Sequence, residues 1–371
     1  MSVRVHLISN MYPSAEHPSF GIFVKEMSEK LAWYGEITIA RKTVITRKPR
    51  TSLVKFLHYL SFYARAVLRS LSGEVDLVYA HYVSHTALPI IIISLLRPSL
   101  PIVINIHGSD VAKQSALLKI IRPLSRFALK HAALVVMPSS RYAEMIHREF
   151  GLPLEKLFVS PSGGIDLAIF HAKERDRCRS HLRINSPFVL GYIARVDHDK
   201  RWPVFFQTLK LLVERGIDLT AVTVTGNGNL SAIRTLAAEY GLTERVRIFG
   251  DIERSRLPLL YGAMDLFLFP SIRESLGLVG LESMACGVPI VSADSIGVQE
   301  YLNDGKNGFF AKADDPADFA DKAYRYLTQF STEQKNAMMN ECLHTATRFS
   351  AAEVSRNLAK VMVATASQNH D

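Results

Sequence analysis

"MDLFLFPSIRESLGLVGLESMACGVPIVSA" runs from Met264 to Ala293. It holds a strand, a loop, a short helix and a second strand. "MDLFLFP" is a continuous apolar run with two aromatic residues, the pattern of a strand covered on both faces. Val279–Cys286 is helical in pattern, and "VPIVSA" is a second buried strand. Strands joined through a helix run parallel, because the crossover carries the chain back to the end where the first strand began. The stretch therefore predicts one unit of a doubly wound α/β sheet.

The same alternation extends in both directions. Upstream lie the strand "FVLGYIAR", the helix Trp202–Arg215, the strand "LTAVTVTG", the helix Leu230–Tyr240, the strand "VRIFG" and a short helix over Leu257–Gly262. The N-terminal half repeats the pattern with "VRVHLIS" (Val3–Ser9), "EITIA", "VDLVYA", "PIVINI" and "ALVVMP". Amphipathic segments such as Phe20–Trp33 and Arg141–Phe150 separate these strands. The fold class is thus α/β, with two Rossmann-like doubly wound parallel-sheet domains expected to face a central cleft. The expected domains are residues 1–175 and 176–350, joined within the charged, weakly periodic segment 171–187. Three helical stretches follow Pro316, and the last, over 351–366, is expected to fold back onto the first domain.

The 371 residues are 48% hydrophobic and 21% charged, ordinary globular composition for two cores. Cys178, Cys286 and Cys342 are odd in number and widely spaced, which predicts reduced thiols and a cytoplasmic setting. No signal peptide is expected from the N-terminal sequence. "ALPIIIISLL", Ala87–Leu96, is too short to cross a bilayer, which needs about 20 residues, and reads as a buried helix. Residues 1–180 hold 24 basic and 13 acidic residues, leaving 20 and 22 for the remainder. The basic excess therefore belongs to the first half, which predicts an anionic partner there. No nucleic-acid motif accompanies it.

Chemistry is expected in the loops at the carboxyl ends of strands. Glu274 follows "DLFLFP" by a short loop, and Glu282 stands early in the next helix. Gly277 between them permits a close turn, and the amides around Leu276, Gly277 and Leu278 make an anion-friendly helix start. Carboxylates accept hydrogen bonds from vicinal hydroxyls, so a sugar or ribose is one reading of the pair. A paired-carboxylate hydrolase is another, and plain capping or solvation of a helix end is a third. Arg195 and Lys200 sit in the loop after "GYIA", two cations suited to a diphosphate if they are not simply solvated. Gly21 opens a helix after the long first loop and would let backbone approach phosphates. His107 follows the strand "PIVINI", with Asp110 as a weaker companion suited to capping. "DHD" at 197–199 imitates a metal motif but has no further clustered ligand. No metal is expected.

Five ordered blocks resemble the retaining nucleotide-sugar glycosyltransferases of family four, which have the GT-B fold. They are "MYPSAEHPSFGIFVKEM", "INIHGSDV", "MPSSRYAEMIHREFGLPLEKLFVSPSGGIDLAIF", "GYIARVDHDKRW" and "PSIRESLGLVGLESMACGVPIVSADSIGVQEYL". The last carries two Glu residues with seven between them. The resemblance implies that Glu274 and His107 face the transferred sugar and Glu282 binds the ribose. It further implies that Arg195 and Lys200 hold the diphosphate and stabilise the charge that builds on it during transfer. The chain departs from the family in two places. Ser275-Leu276 replaces the frequent Gly-Phe, and Arg201 replaces the usual Gly. The implied reaction moves a hexose from a nucleoside-diphosphate sugar, UDP favoured over GDP, to a carbohydrate acceptor with retention. No separate cofactor is implied. An epimerase or phosphorylase on the same fold, or a non-catalytic sugar-nucleotide-binding subunit, is the alternative.

"RKTVITRKPRTSLVKFLHYLSFYARAVLRS" (41–70) is rich in Arg and Lys and helical in pattern from Ser52 onward. Its wide apolar face reads either as core packing with a solvated basic edge or as a surface that meets an anionic membrane. The second reading places the protein as a peripheral partner on the inner face of the cell membrane. The acceptor is then a lipid-diphosphate-linked glycan, as in bacterial surface polysaccharide assembly (exopolysaccharide, capsule or O-antigen).

Overall fold

The structure is a computed structural model that describes residues 2–17, 20–47, 51–108, 116–226 and 229–368, with the backbone alone over 116–120. The chain divides into two compact units. The first comprises Met1–Gly164 with Ala351–Asp371, and the second Ile165–Ser350.

The first unit is built on a six-stranded parallel sheet. Its strands are β1 (Val3–Ser9), β2 (Ile37–Val44), β3 (Leu77–His81), β4 (Ile102–Asn105), β5 (Leu134–Met137) and β6 (Leu157–Val159), in the order β2-β1-β3-β4-β5-β6. Tyr79 pairs in register with both Leu7 and Val103, and these residues share one face of the sheet. That face packs on Val24 and Leu31 of the helix Ile22–Ala32 and on Leu358, Ala359 and Met362 of the helix Ala351–Ser367. The C-terminal helix therefore belongs to the first unit. The crossovers from β2 through β5 supply three helices, Ser52–Ser70, Val83–Leu96 and Ala116–His131. The middle one packs against both of the others, and right-handed crossovers place all three on the opposite face of the sheet.

The second unit repeats the design. Its strands are β7 (Phe188–Ile193), β8 (Leu219–Val224), β9 (Val246–Phe249), β10 (Leu266–Phe269), β11 (Ile290–Ala293) and β12 (Gly308–Ala311), in the order β12-β11-β10-β7-β8-β9. All pairs are parallel, including β7 with β10. Chain order reverses between these two central strands, so their carboxyl ends border the topological switch point, where open α/β sheets bind ligands. Cys178, Cys286 and Cys342 are free and buried.

Four local expectations change. The edge strands β6 and β12 have three and four residues and carry no alternation long enough to read. Segment 171–187 is no loose join. It lies inside the second unit and contains the helix Arg175–Leu182, whose Arg175 and Arg179 pair with Asp265 at 3.1 and 2.6 Å. The residues of "ALPIIIISLL" are only partly buried: Ile90 and Ile93 are, whereas Leu88, Leu95 and Leu96 are exposed. The helix Ser52–Ser70 buries only Phe62, Ala66 and Ser70, so its wide apolar face is not core.

Candidate active site

Tyr192 stands near the end of β7 with its side chain fully buried. Its hydroxyl donates to the Lys200 carbonyl and lies 3.1 Å from the Ser271 hydroxyl in the loop after β10. The two loops are joined again where the Ile272 N–H donates to the Asp199 carbonyl at 3.0 Å and Arg273 pairs with Asp199 at 3.3 Å. These contacts bring Lys200 against Glu274. The ammonium donates to Oε1 of the carboxylate, and the two side chains are only 16% and 13% exposed. Two residues seventy-four positions apart in sequence thus form one ion pair at the switch point.

Arg195 stands in the same loop and is exposed. Its carbonyl accepts the Trp202 indole N–H at 3.1 Å, which ties the loop to the following helix. Among the described residues no carboxylate pairs with its guanidinium. The "DHD" acids are occupied structurally. Asp197 accepts the Asp199 N–H at 3.1 Å and caps the turn His198–Lys200, while Asp199 makes the contact to Arg273. Arg201 closes the turn at a φ of 51°, the region that the family's usual Gly enters without strain, and it pairs with Asp314 at 2.7 Å. A cavity of about 670 Å³ lies beside this turn, lined by Val196, His198, Trp202, Asn229 and Leu236 among others. None of the expected site residues lines it.

The helix Leu278–Ala285 begins at Gly277, whose φ is 84°. A Cβ there would lie 3.0 Å from the Phe269 ring, so close packing and backbone conformation both require glycine. Leu276 is buried. The loop is held from a second direction by Gly297, whose N–H donates to the Glu274 carbonyl at 3.0 Å. A Cβ on Gly297 would lie 2.4 Å from the Leu276 nitrogen. Tyr301 completes the clamp by donating to the Gly277 carbonyl at 2.9 Å.

Glu282 is buried on the helix that follows. Arg254 donates to its Oε1 at 3.1 Å and the Tyr261 hydroxyl to its Oε2 at 3.3 Å. Burial, reinforced by Glu282, pushes the Tyr261 hydroxyl well above its ordinary range, so it remains a neutral donor. Arg254 itself lies over the Phe170 ring, 5.2 Å from its centre. Arg254, Tyr261, Gly297 and Tyr301 all escaped the sequence reading. Each acts through a partner distant in the chain, and only "GVQEY" (297–301) fell in a block marked by resemblance.

Gly21 and His107 belong to the first unit. Gly21 caps the helix Ile22–Ala32 at a φ of 72°. A Cβ there would lie 2.7 Å from the Met11 carbonyl carbon, so the close approach that it permits is to its own loop. The His107 ring packs against Phe23 and Tyr82, with centroids 5.0 and 4.5 Å away. Its Nε2 lies 3.0 Å from Nδ1 of His81, a fully buried residue of β3. Burial pushes the His107 imidazole down to about 3, and burial with the neighbouring ring holds His81 well below its ordinary value. The pair is therefore neutral at pH 7, one ring donating to the other. His81 was also missed. Asp110 lies outside the described residues.

The site of the second unit thus presents two cations and two acids around a tight helix start. Comparison with known proteins places the chain in a family. The family described as Glycosyltransferase Family 4 matches residues 2–168, and Glycosyl transferases group 1 matches residues 174–341. D-inositol 3-phosphate glycosyltransferase of Salinispora tropica is 28% identical over 69% of this chain, and the match spans 57% of that relative's length. The enzyme of the same name from Paenarthrobacter aurescens is 26% identical over 83% of this chain and 75% of its own. Among solved structures, Anabaena Alr3699/HepE in complex with UDP superposes with a TM-score of 0.79 at 19% identity, covering 98% of this chain and 100% of that one. That likeness shows the GT-B fold, and the two family matches together take in nearly all of both units. The chain belongs to the glycosyltransferases of family four.

Proposed function

We propose that this protein is a retaining glycosyltransferase that moves a hexose from a nucleoside-diphosphate sugar, UDP-linked in preference to GDP-linked, to a carbohydrate hydroxyl. The observation that carries this reading is the ion pair between Lys200 and Glu274 at the switch point of the second unit. A diphosphate offers Lys200 a doubly charged partner, with Arg195 beside it. Lys200 then shifts towards the phosphates, and the Glu274 carboxylate is released to accept hydrogen bonds from sugar hydroxyls. The pair thus stores both halves of the donor site in one contact. Glu282 serves the ribose, positioned by Arg254 and Tyr261.

Transfer then needs no protein nucleophile. The acceptor oxygen attacks the anomeric carbon on the face that the diphosphate leaves. The carbon–oxygen bond to the diphosphate breaks, and the acceptor's proton passes to the departing phosphate oxygen. Arg195 and Lys200 stabilise the charge that grows on that phosphate. His107, which the family resemblance assigns to the sugar, is held neutral and adds no positive charge to those of Arg195 and Lys200.

The donor assignment is supported by HepE, which has been solved with UDP-glucose as well as UDP. The acceptor has two readings. The basic first unit favours a lipid-diphosphate-linked glycan, met on the cytoplasmic face of the membrane during surface polysaccharide assembly. The relatives are named for D-inositol 3-phosphate, which favours a soluble phosphorylated cyclitol.

The test is calorimetric titration with UDP, GDP and ADP, followed by transfer assays with the matching sugar donors and both acceptor classes. Binding of UDP with acceptor-dependent release of UDP supports the proposal. Conversion of the nucleotide sugar without any acceptor would point to an epimerase. Failure of all three nucleotides to bind would remove the donor assignment.

A further inference from the structure

The helix Ser52–Ser70 is amphipathic in the wrong sense for a soluble surface. The stripe that it buries is narrow: Phe62, Ala66 and Ser70, spaced by four. Its outward side carries Leu53, Phe56, Leu57 and Leu60, at 69, 64, 52 and 55% exposure. Those positions follow the i, i+3, i+4, i+7 spacing of a single helix face. Leu68 continues the stripe at 69%. A helix on a soluble protein turns such a face inward, so this one presents a second apolar face that no described residue of its own unit covers.

The apolar surface extends to the two neighbouring helices in the layer. Val83–Leu96 exposes Leu88, Leu95 and Leu96, and Ala116–His131 exposes Leu124 and Phe127. Charge on the same three helices is of one sign. Ser52–Ser70 carries Lys55, Arg65 and Arg69, of which Arg69 turns inward to the Lys42 carbonyl, and Ala116–His131 carries Lys119, Arg122, Arg126 and Lys130, of which Arg122 pairs with Glu149. None of the three contains an Asp or Glu. Even the first turn of Ser52–Ser70, where an acid would favour the helix dipole, has none and places Lys55 instead.

We infer that the outer surface of these three helices docks onto an anionic lipid bilayer, with the apolar stripe of Ser52–Ser70 seated among the headgroups and the net basic charge of the helix layer supplying the attraction. Interfacial helices have this composition, with bulky apolar residues on one side and Lys and Arg beside them. Anionic lipids supply the complementary charge. A second copy of this chain fits less well, because a two-fold interface would set this basic surface against itself. No helix among the described residues is long and apolar enough to cross a membrane, so the contact proposed is interfacial. The inference deepens the lipid-linked acceptor reading by naming the surface that would bring the first unit to its acceptor. It does not depend on donor chemistry.

The experiment is cosedimentation of the full chain with vesicles of phosphatidylcholine alone or mixed with phosphatidylglycerol, at low and high salt. The chain is expected to sediment with the phosphatidylglycerol vesicles. A fraction should remain bound at high salt, because screening weakens the basic contacts but not apolar insertion. The triple variant Phe56→Gln, Leu57→Gln, Leu60→Gln keeps helix-compatible residues at exposed positions. It should reduce vesicle binding about tenfold or more while UDP affinity stays unchanged. Sedimentation of the variant equal to wild type would overturn the inference, as would failure of the wild type to bind either vesicle. Gel filtration showing a dimer that the same three substitutions dissociate, without vesicle binding, would assign the surface to a second copy. If vesicles bind but UDP does not, the surface stands and the donor reading falls.

Discussion

The two units are both six-stranded parallel sheets, wound in different strand orders, and they differ again in what they do with their side chains. Every exposed large hydrophobic side chain among the described residues belongs to the first unit. The second unit keeps its large apolar side chains from full exposure and uses its charge in ion pairs that join segments distant in the chain, such as Lys200 with Glu274 and Arg254 with Glu282. The histidines that their surroundings hold neutral divide the same way. His6, His81 and His107, all held neutral by burial, lie in the first unit. One parallel-sheet frame therefore supports two kinds of surface: a polar, cross-braced loop cluster suited to a charged small molecule, and an apolar, basic face suited to a broad partner. A fold supplies the carboxyl-end loops, and the residues placed there decide the chemistry.

The largest effect that would sharpen this contrast is on turnover in the second unit. Glu274→Gln preserves shape but removes the charge that is proposed to hold the sugar. It should lower the transfer rate by about a hundredfold to a thousandfold, the scale seen when a positioned polar group is lost from an active site. A rate within about threefold of wild type, measured with saturating donor, would remove Glu274 from the site.

A smaller effect belongs to the first unit and depends on pH. His6 accepts or donates to Ser70 and Thr43 at 2.8 and 2.9 Å, and burial, with Arg69 and Arg41 adding, pushes it down to about 4. The unfolded chain binds that proton near 6.5 and the folded chain does not until pH falls to about 4. The stabilisation is therefore present above pH 6.5 and is lost as pH drops below it. At pH 5 the loss from His6 alone is about 2 kcal/mol. Hydrogen exchange of amides in β1 and β3, compared at pH 7 and 5 after correction for intrinsic rates, should show that decrease. The His6→Gln variant should show a shallower dependence, and an unchanged dependence would contradict the assignment.

The smallest effect tests a detail of the phosphate loop. Arg201→Gly relieves a left-handed residue but removes the contact to Asp314. Left-handed strain and a surface ion pair are each worth about 1 kcal/mol, so stability should change by less than about 1 kcal/mol. UDP affinity should be unchanged, because the Arg201 guanidinium is turned to Asp314. A large loss of UDP affinity would make Arg201 a phosphate contact.

The parts of this account that were legible in the sequence are those carried by local pattern. Apolar strands alternating with helices specify parallel sheets, and strand-end position drew attention to Glu274, Arg195 and Lys200, whose roles rested on the family resemblance. The unread parts depend on what a side chain meets. Nothing local to "DIERSRLPLLYG" (251–262) says that Arg254 and Tyr261 converge on Glu282. The tightness around Gly297 exists only because the Ser275–Leu276 backbone presses on it. His81 directly follows the strand read in "VDLVYA", but its pairing with His107 requires the register of β3 beside β4. For the helix Ser52–Ser70, periodicity located the apolar face and could not say which way it turned.

The central claim is that Lys200 leaves Glu274 to hold the donor diphosphate, and calorimetric titration of UDP into Glu274→Gln tests it most directly. Freed from its carboxylate, Lys200 should bind the diphosphate at least as tightly as in the wild type, although transfer collapses. Lys200→Ala should lose about tenfold or more in UDP affinity, the cost of a charge-assisted phosphate contact. A loss of UDP affinity in Glu274→Gln as large as that in Lys200→Ala would contradict the account, because Glu274 would then be part of the nucleotide contact itself.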